Sequence, residues 1–467
     1  MIDTQPYVRT LQGKPVAVLG LGVSGLATAK ALIKGGAQVL VWDDKDDARE
    51  KALDEGFNLL NFAVEGLEGY GALVMAPGIP LTHPAPHPAA VRAKEANVEI
   101  IGDLEILHRS GHTCKVVGIT GTNGKSTTTA LVTHILNESG KHAIAAGNIG
   151  TPVLMLDLPP RETVLVLEIS SYQMDLCPSF RPDIAVLLNI SPDHLDRHGG
   201  MDGYALSKER MMEGGGTAIC AVDDAPTLAI YDRISKTDTR HVIPVSFKKE
   251  LTGGVYIKDG QLMDAIDGEA VAIGNATDLP ALPGTHNGQN LCASYAVCKT
   301  LGVAPEDILK YARTYAGLPH RQHTARIING IAYVNDSKGT NADATVRALS
   351  CYSNVYLIAG GRAKEGGLNG IEIYADRLRH VFLIGEAAED FAVWLKKLGI
   401  PHDISGTLDV AVLSAHKMAQ DNRGQPGGAS TVLLSPACAS WDQFRNFEHR
   451  GEVFTNLVNA LSEDVPS

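Results

Sequence analysis

The stretch "KVVGITGTNGKSTTTALVTHIL" (residues 115–136) runs from an apolar segment through a turn of Gly and small polar residues into a segment of helical character. A loop of this kind between strand and helix exposes successive backbone N–H groups to an anion, and the helix N-terminus adds partial positive charge. Lys125 would reach the β- and γ-phosphates of ATP or another nucleoside triphosphate, and the Ser126 hydroxyl would ligate Mg²⁺. The strict G-x-x-x-x-G-K-[ST] spacing is not met, because Ile119 stands at the first Gly position and Gly118 lies one step further out. The flanking strand and helix nevertheless favour a phosphate loop over Gly121, Thr122, Asn123, Gly124, Lys125, Ser126 and Thr127 against a chance Gly-Lys-Ser turn.

Two other stretches open in the same way, "PVAVLGLGVSGLATAKALIKGG" (15–36) and "NVYLIAGGRAKEGG" (354–367). Strand, Gly-rich turn and helix in succession build α/β units on a parallel sheet. The expected fold is therefore α/β with three domains, each on a mainly parallel sheet: a Rossmann-like domain over 1–102, a P-loop central domain over 103–317 and a Rossmann-like domain over 318–467. A length of 467 residues fits about three domains. The Pro-rich "PLTHPAPHPAAVR" (80–92) reads as a surface loop of the first domain, and "VYIKDGQLMDAIDGEAVAIG" (255–274) as small antiparallel strands appended to the central sheet.

Composition excludes several classes. With 44% hydrophobic and 20% charged residues and no run of ~18 apolar positions, the chain reads as globular, with no membrane span expected. The start, "MIDTQPYVRTLQGKPVAV", lacks the pattern of a secretory leader, so a cytoplasmic location is expected. Seven scattered cysteines without a C-x-x-C pair fit reduced thiols rather than a disulfide framework or zinc site. A net charge of −12 argues against a general nucleic-acid partner but not against a phosphorylated small molecule held by local donors.

Magnesium takes hard oxygen ligands and only one or two of them from protein. Glu168 ends the apolar run "VLVLEISSYQ", where a parallel sheet puts functional groups, and reads either as such a ligand or as a surface Glu. "LLNISPDHLDRHGG" (187–200) places His194 and His198 at i, i+4, but Pro192 and the Gly pair leave barely one turn, and Leu195 stands where a zinc protease carries Glu. A single His reaching magnesium or substrate stands beside a plain capping cluster.

"GLGVSG" (20–25) matches G-x-G-x-x-G, with Asp43 following the next strand. Taken alone it indicates NAD or FAD and a dinucleotide-dependent oxidoreductase. A tight glycine turn at a helix N-terminus binds any pyrophosphate, however, and UDP has one. A non-catalytic nucleotide-binding scaffold would account for the loops but not for the metal ligands.

In this order, "GTNGKST", "LEISSYQ", "NISPDHLDRHG", "LPGTHNGQN" (282–290), "LPHR" (318–321) and "VNDSKGTN" (334–341) resemble the Mur ligases of peptidoglycan synthesis and their folylpolyglutamate synthase relatives. The resemblance covers nearly the whole chain. Within the family, "LLSPACASWDQFRNFEHRG" (433–451) is similar to the branch that joins D-glutamate to UDP-N-acetylmuramoyl-L-alanine, and no "DNPR" of the diaminopimelate-adding branch occurs.

The resemblance implies an ATP-dependent amide ligase, monomeric, with two Mg²⁺ ions. Lys125, Glu168, His194 and Lys208 would carry catalysis. Ser126 and Glu168 would hold one ion and His194 the second, with Lys208 contributing if carbamylated, since an ammonium cannot ligate a cation; unmodified, Lys208 reads as a helix-surface lysine. Asn287 and Asn290 match adenine-side contacts, Arg321 the γ-phosphate contact and Asp336 the ribose contact. Gly22, Val23, Ser24, Asp43 and Gly78 would hold the UDP end of the substrate, and Asn148 with His194 its sugar or lactoyl end. Lys338, Thr340, Lys364, Ser440 and Phe447 would line the amino-acid pocket. One departure is Arg362, at a position where an acidic residue is expected, beside Lys364.

Overall fold

The computed structural model describes residues 1–157, 162–237, 239–279, 281–282, 284, 287–364, 366–425, 428 and 431–462. These residues build three sheets, and three sheet-based, mainly parallel α/β domains result. The chain divides into two compact units, Met1–Asp278 with Gly288–Tyr315, and Leu279–Asn287 with Ala316–Ser467. The first unit carries two sheets and the second carries one.

The first sheet comprises β1 (Val16–Leu19), β2 (Val39–Trp42), β3 (Asn58–Leu59), β4 (Ala72–Met75) and β5 (Glu99–Ile101), in the order β3-β2-β1-β4-β5 and parallel throughout. Strand order reverses between β1 and β4, which opens a crevice at their carboxyl ends. The glycine loop after β1 lies there. Gly20 has φ 94°, and a Cβ on it would come within 2.6 Å of the Ala76 Cβ, while a Cβ on Gly25 would meet the Gly20 carbonyl oxygen at 1.8 Å. The turn therefore requires glycine at both positions.

The central sheet runs β14-β13-β12-β11-β10-β9-β6-β8-β7. Its strands are β6 (Lys115–Thr120), β7 (Ala143–Gly147), β8 (Val164–Glu168), β9 (Ile184–Leu187), β10 (Thr217–Ala221), β11 (His241–Ser246), β12 (Val255–Lys258), β13 (Gln261–Asp264) and β14 (Val271–Asn275). The antiparallel appendage expected over 255–274 is β12 to β14 at one edge. Strands β8 and β9 are buried along their whole length, as expected for a sheet covered on both faces. One apolar cluster, including Val18, Leu32, Leu104 and Leu167, is continuous from the first domain into the central one.

The second unit holds β15 (His323–Ile328), β16 (Ile331–Asn335), β17 (Val355–Gly360), β18 (Leu378–Ile384), β19 (His402–Gly406) and β20 (Thr431–Leu434), ordered β15-β16-β20-β17-β18-β19. Among the described strands of this sheet only the β15–β16 pair is antiparallel. Alternation along β17 sends Val355, Leu357 and Ala359 to one core and Tyr356 and Ile358 to the other, the period-2 signature of a strand between two helix layers. Among the described residues the seven cysteines form no disulfide, and all but Cys351 are buried. No described helix is long and apolar enough to cross a membrane.

Candidate active site

The 14-residue helix Lys125–Glu138 follows β6, with Gly124 at its N-cap in the left-handed region at φ 86°. A Cβ on Gly124 would come within 2.3 Å of the Asn290 Oδ1, and one on Gly121 within 3.0 Å of the Leu188 Cβ. The loop is a tight cradle that only glycine permits. Its shape is held from β9: Thr122 N–H donates to the Asn189 carbonyl oxygen and Asn123 N–H to the Asn189 Oδ1, both at 2.8 Å. The Asn189 amide donates onward to Gln289 Oε1 at 2.8 Å, and Gln289 Nε2 donates to Asp223 Oδ2 at 3.0 Å. Because a carboxylate only accepts, this chain sets the orientation of both amides.

The Lys125 ammonium folds back onto the carbonyl oxygens of Gly121 and Thr122, at 2.8 and 2.9 Å. Ser126 and Thr127 are buried on the first turn of the helix. Glu168, at the end of β8, is also buried, and its Oε1 accepts from the Asn148 Nδ2 at 3.0 Å. The structure thus puts Asn148 beside the carboxylate.

Lys208, on the helix Met201–Glu209, is 1% exposed. Its Nζ donates to the Gly121 carbonyl oxygen at 3.0 Å and lies 4.6 Å from the centre of the Tyr204 ring. Burial first, and the charge of Lys125 second, push its amine well below the ordinary lysine range. The helix-surface reading of Lys208 is thereby corrected: the helix turns this side chain inward.

His194 takes φ 54° at the N-cap of the helix Leu195–His198, with Nε2 3.4 Å from Asp193 Oδ2. His198 points elsewhere, its Nε2 2.9 Å from Ser171 Oγ and its Nδ1 3.2 Å from Asp175 Oδ2. The i, i+4 histidines do not converge, and among the described residues no three His, Cys, Asp or Glu side chains form a metal cluster. A hydroxyl at Ser126, a buried carboxylate at Glu168 and a glycine cradle fit a hydrated magnesium–nucleotide, which needs few protein ligands.

In the first domain Gly22 and Val23 are exposed and Ser24 half-buried at the start of the helix Val23–Lys34. Asp43 reaches back to that loop: Oδ2 accepts from Leu21 N–H at 2.7 Å and Oδ1 from Lys45 N–H at 2.9 Å. Gly78 is exposed beyond β4.

In the helix Asn287–Thr300 both Asn287 and Asn290 are buried, and Thr128 Oγ1 donates to Asn290 Oδ1 at 3.3 Å. Pro283, Thr285 and His286 of the 282–290 stretch lie outside the described residues.

In the second unit, Asp336 follows β16 and is buried. Its Oδ2 accepts from Ser435 Oγ at 2.7 Å and its Oδ1 from Gln322 N–H at 3.2 Å. Desolvation pushes its pKa up to about 7 against the pull of Ser435, Arg321 and other donors. The Lys338 ammonium lies 3.8 Å from the centre of the Phe447 ring. Thr340 N–H donates to the Lys338 carbonyl oxygen at 2.8 Å. Ser440 is buried beyond β20 and Lys364 exposed beyond β17. An antiparallel bridge between Arg362 and Ala439 joins the two loops that carry them. The Arg362 side chain turns away to a two-bonded ion pair with Glu386, at 2.9 and 3.0 Å.

The chain is 45% identical over 458 residues to the UDP-N-acetylmuramoylalanine–D-glutamate ligase of Rhizobium meliloti, covering 97% of this chain and 98% of that one. It is likewise 45% identical over 464 residues to the enzyme of that name from Caulobacter vibrioides, with 97% and 98% covered. This chain belongs to the Mur ligase family. The Mur ligase middle-domain model matches residues 119–298, and the Mur ligase MurD-like N-terminal-domain model residues 14–102. The fold is shared with UDP-N-acetylmuramate–alanine ligase of Thermotoga maritima, with a TM-score of 0.57 at 17% identity over 96% of this chain and 99% of that one. A pseudomurein peptide ligase of Methanothermus fervidus gives a TM-score of 0.55 at 17% identity, covering 96% and 100%. Mur ligases are ATP-dependent amide ligases that use Mg²⁺.

Four residues of this Mur ligase escaped the reading of the sequence as site elements. Asn189 and Gln289 shape the phosphate loop, and Tyr204 shares a 3.1 Å hydrogen bond with Thr122 Oγ1. Arg450, fully buried, donates to Ser337 Oγ at 2.9 Å, to the Ser337 carbonyl at 2.8 Å and to the Cys438 carbonyl at 3.1 Å. It thereby ties the 336–340 loop to the 438–440 loop. All four lie inside or beside the motifs, but a neutral amide or a single Arg carries no signal until its partners are known.

Proposed function

We propose that this enzyme joins D-glutamate to UDP-N-acetylmuramoyl-L-alanine at the expense of ATP, in the cytoplasm and as a monomer. The observation that carries the chemistry is the meeting of Lys125, Ser126, Glu168 and Lys208 around the glycine loop after β6. The substrate assignment is supported by near full-length likeness to ligases of that name.

In the first step a carboxylate oxygen of the L-alanyl group attacks the γ-phosphorus of ATP, and ADP leaves, giving an acyl phosphate. Two anions must approach, so charge compensation is the main task. Lys125 exchanges its loop carbonyls for the phosphate oxygens. Magnesium, when bound, supplies charge neutralisation and orientation. Ser126 and Glu168 would hold one ion and His194 a second, with Asn148 orienting the Glu168 carboxylate.

Lys208 is suited to a carbamate. Burial favours its uncharged amine, which would add CO₂ through nitrogen and release one proton, giving an anion with oxygen donors. In the second step the D-glutamate amine attacks the acyl carbonyl, loses a proton, and the tetrahedral intermediate expels phosphate. Lys338, Thr340, Lys364, Ser440 and Phe447 would receive the two-carboxylate amino acid, while Asn287, Asn290, Arg321 and Asp336 would contact the nucleotide. Gly22, Val23, Ser24, Asp43 and Gly78 would hold the UDP end. The three domains, bounded near 102 and 317, would each bring one substrate.

Phosphate release from ATP with UDP-N-acetylmuramoyl-L-alanine tests the reading, with D-glutamate compared against L-glutamate, L-alanine, L-lysine and diaminopimelate. Release that requires both the nucleotide sugar and D-glutamate is expected. No release with any amine would return "GLGVSG" to the dinucleotide reading.

A further inference from the structure

The helix Leu195–His198 carries Arg197 toward the first domain. One guanidinium nitrogen donates to the Gly78 carbonyl oxygen at 2.9 Å, and the guanidinium carbon lies 4.6 Å from the centre of the Tyr172 ring. Its Nε is buried without a hydrogen-bond partner. The same Tyr172 ring packs on His194, with centroids 4.9 Å apart, and stacks on His198 at 5.5 Å and 16°. A continuous set of contacts thus runs from the Gly78 loop through Arg197 and Tyr172 to His194. A second close approach lies one turn away: Gly199 has φ 69°, and a Cβ on it would come within 2.8 Å of the His83 Nε2. The chemistry above uses neither Arg197 nor Tyr172.

On that functional reading, one substrate spans both domains, with its UDP end near Gly78 and its acceptor carboxyl near His194. A misplacement of ~1 Å at a reacting centre costs about 10²-fold in rate, so the two ends must be kept in register. Arginine is suited to the task because its planar fork donates in plane while its face stacks on an aromatic ring. We infer that Arg197 is a positioning residue that locks the Gly78 loop to the His194 turn and so registers the two ends of the nucleotide-sugar substrate.

The test is calorimetric titration of UDP and of UDP-N-acetylmuramoyl-L-alanine into wild type, Arg197→Met and Arg197→Lys, without ATP or magnesium, followed by steady-state kinetics. Arg197→Met should bind UDP as wild type does and the full substrate about tenfold more weakly, the scale of one charge-assisted hydrogen bond. Its kcat should fall with the KM for ATP unchanged. Arg197→Lys keeps a donor for Gly78 but not the stack, and should recover part of the loss; it carries the comparison if the Met variant does not fold. Equal weakening of both ligands would indicate a merely structural role and overturn the assignment. Wild-type affinity for both ligands in the two variants would overturn it as well. A wild-type protein that binds neither ligand would remove the functional reading and this assignment together.

Discussion

The loops at Gly20–Gly25 and Gly121–Lys125 are built alike, each a buried parallel strand followed by a glycine turn and a helix N-terminus, yet their surroundings differ. The first loop meets one carboxylate, Asp43, whose two oxygens are both taken by backbone N–H groups. The second is braced by the Asn189 amide, just past β9, and by the buried Lys208, whose ammonium donates to the Gly121 carbonyl oxygen. A glycine turn makes a generic anion cradle. On the proposed function, the side chains brought beside each loop would decide whether the anion is only held or also made to react.

The largest effect should separate the two loops outright. Lys125→Ala should lower kcat by about 10³-fold or more, since it removes charge compensation at the transferred phosphoryl group, while calorimetric binding of UDP-N-acetylmuramoyl-L-alanine stays unchanged. Near-normal turnover would end the distinction between a reacting and a holding loop.

Next is Lys208→Arg, expected to cost about 10²-fold because a guanidinium cannot take up CO₂ and leaves a charge buried beside Gly121. Carbon-13 NMR with labelled bicarbonate should show a carbamate resonance in wild type and none in the variant. A variant of full activity would remove Lys208 from the chemistry.

Asp336 extends the contrast to the third sheet, where desolvation of a carboxylate after a strand outweighs the one backbone N–H and one hydroxyl that donate to it. Its folded pKa of about 7 lies above the unfolded value of 3.8. The folded state therefore binds more protons in that window, so the contribution is fully present below about pH 4 and is lost as pH rises through 7. Denaturant unfolding of Asp336→Asn should show a flatter pH dependence there, with a difference on the order of 4 kcal/mol between the ends of the window. Parallel wild-type and variant curves would disprove the shift.

Asp43→Ala should be milder, weakening nucleotide-sugar binding about tenfold through loss of the hydrogen bond to Leu21 N–H, with kcat at saturation retained. A loss in kcat instead would give the first loop a part in the chemistry. Smallest of all, Arg362→Ala should leave the melting temperature unchanged and the KM for D-glutamate within about twofold, because its partner Glu386 is equally exposed. A larger rise would mean that this side chain reaches the amino acid in the working enzyme.

Much of this was legible in the sequence because its causes are local. Apolar runs with turn residues at their ends describe strands in a parallel sheet, and the antiparallel appendage over 255–274 was equally plain from its alternation. Arg362 could be recognised as an unexpected residue, but not its pairing with Glu386. His194 and His198 could be recognised as a pair at helical spacing, but not that one faces Asp193 while the other is held by Ser171 and Asp175.

What the sequence determined by itself was the strand–glycine–helix opening after β1 and the one after β6, since glycine's access to positive φ and the apolar rhythm of a strand act within a few residues; after β17 the expected helix is replaced by turns and a 3-10 stretch, Ile371–Arg377. Only the tertiary structure decided what stands around them. Lys208 reaches Gly121 across 87 positions, Arg197 reaches Gly78 across 119, and Asn189 reaches Gln289 across 100. Those meetings depend on the order in which strands enter a sheet, which buries some charges and turns others outward, and no short stretch of sequence contains that order.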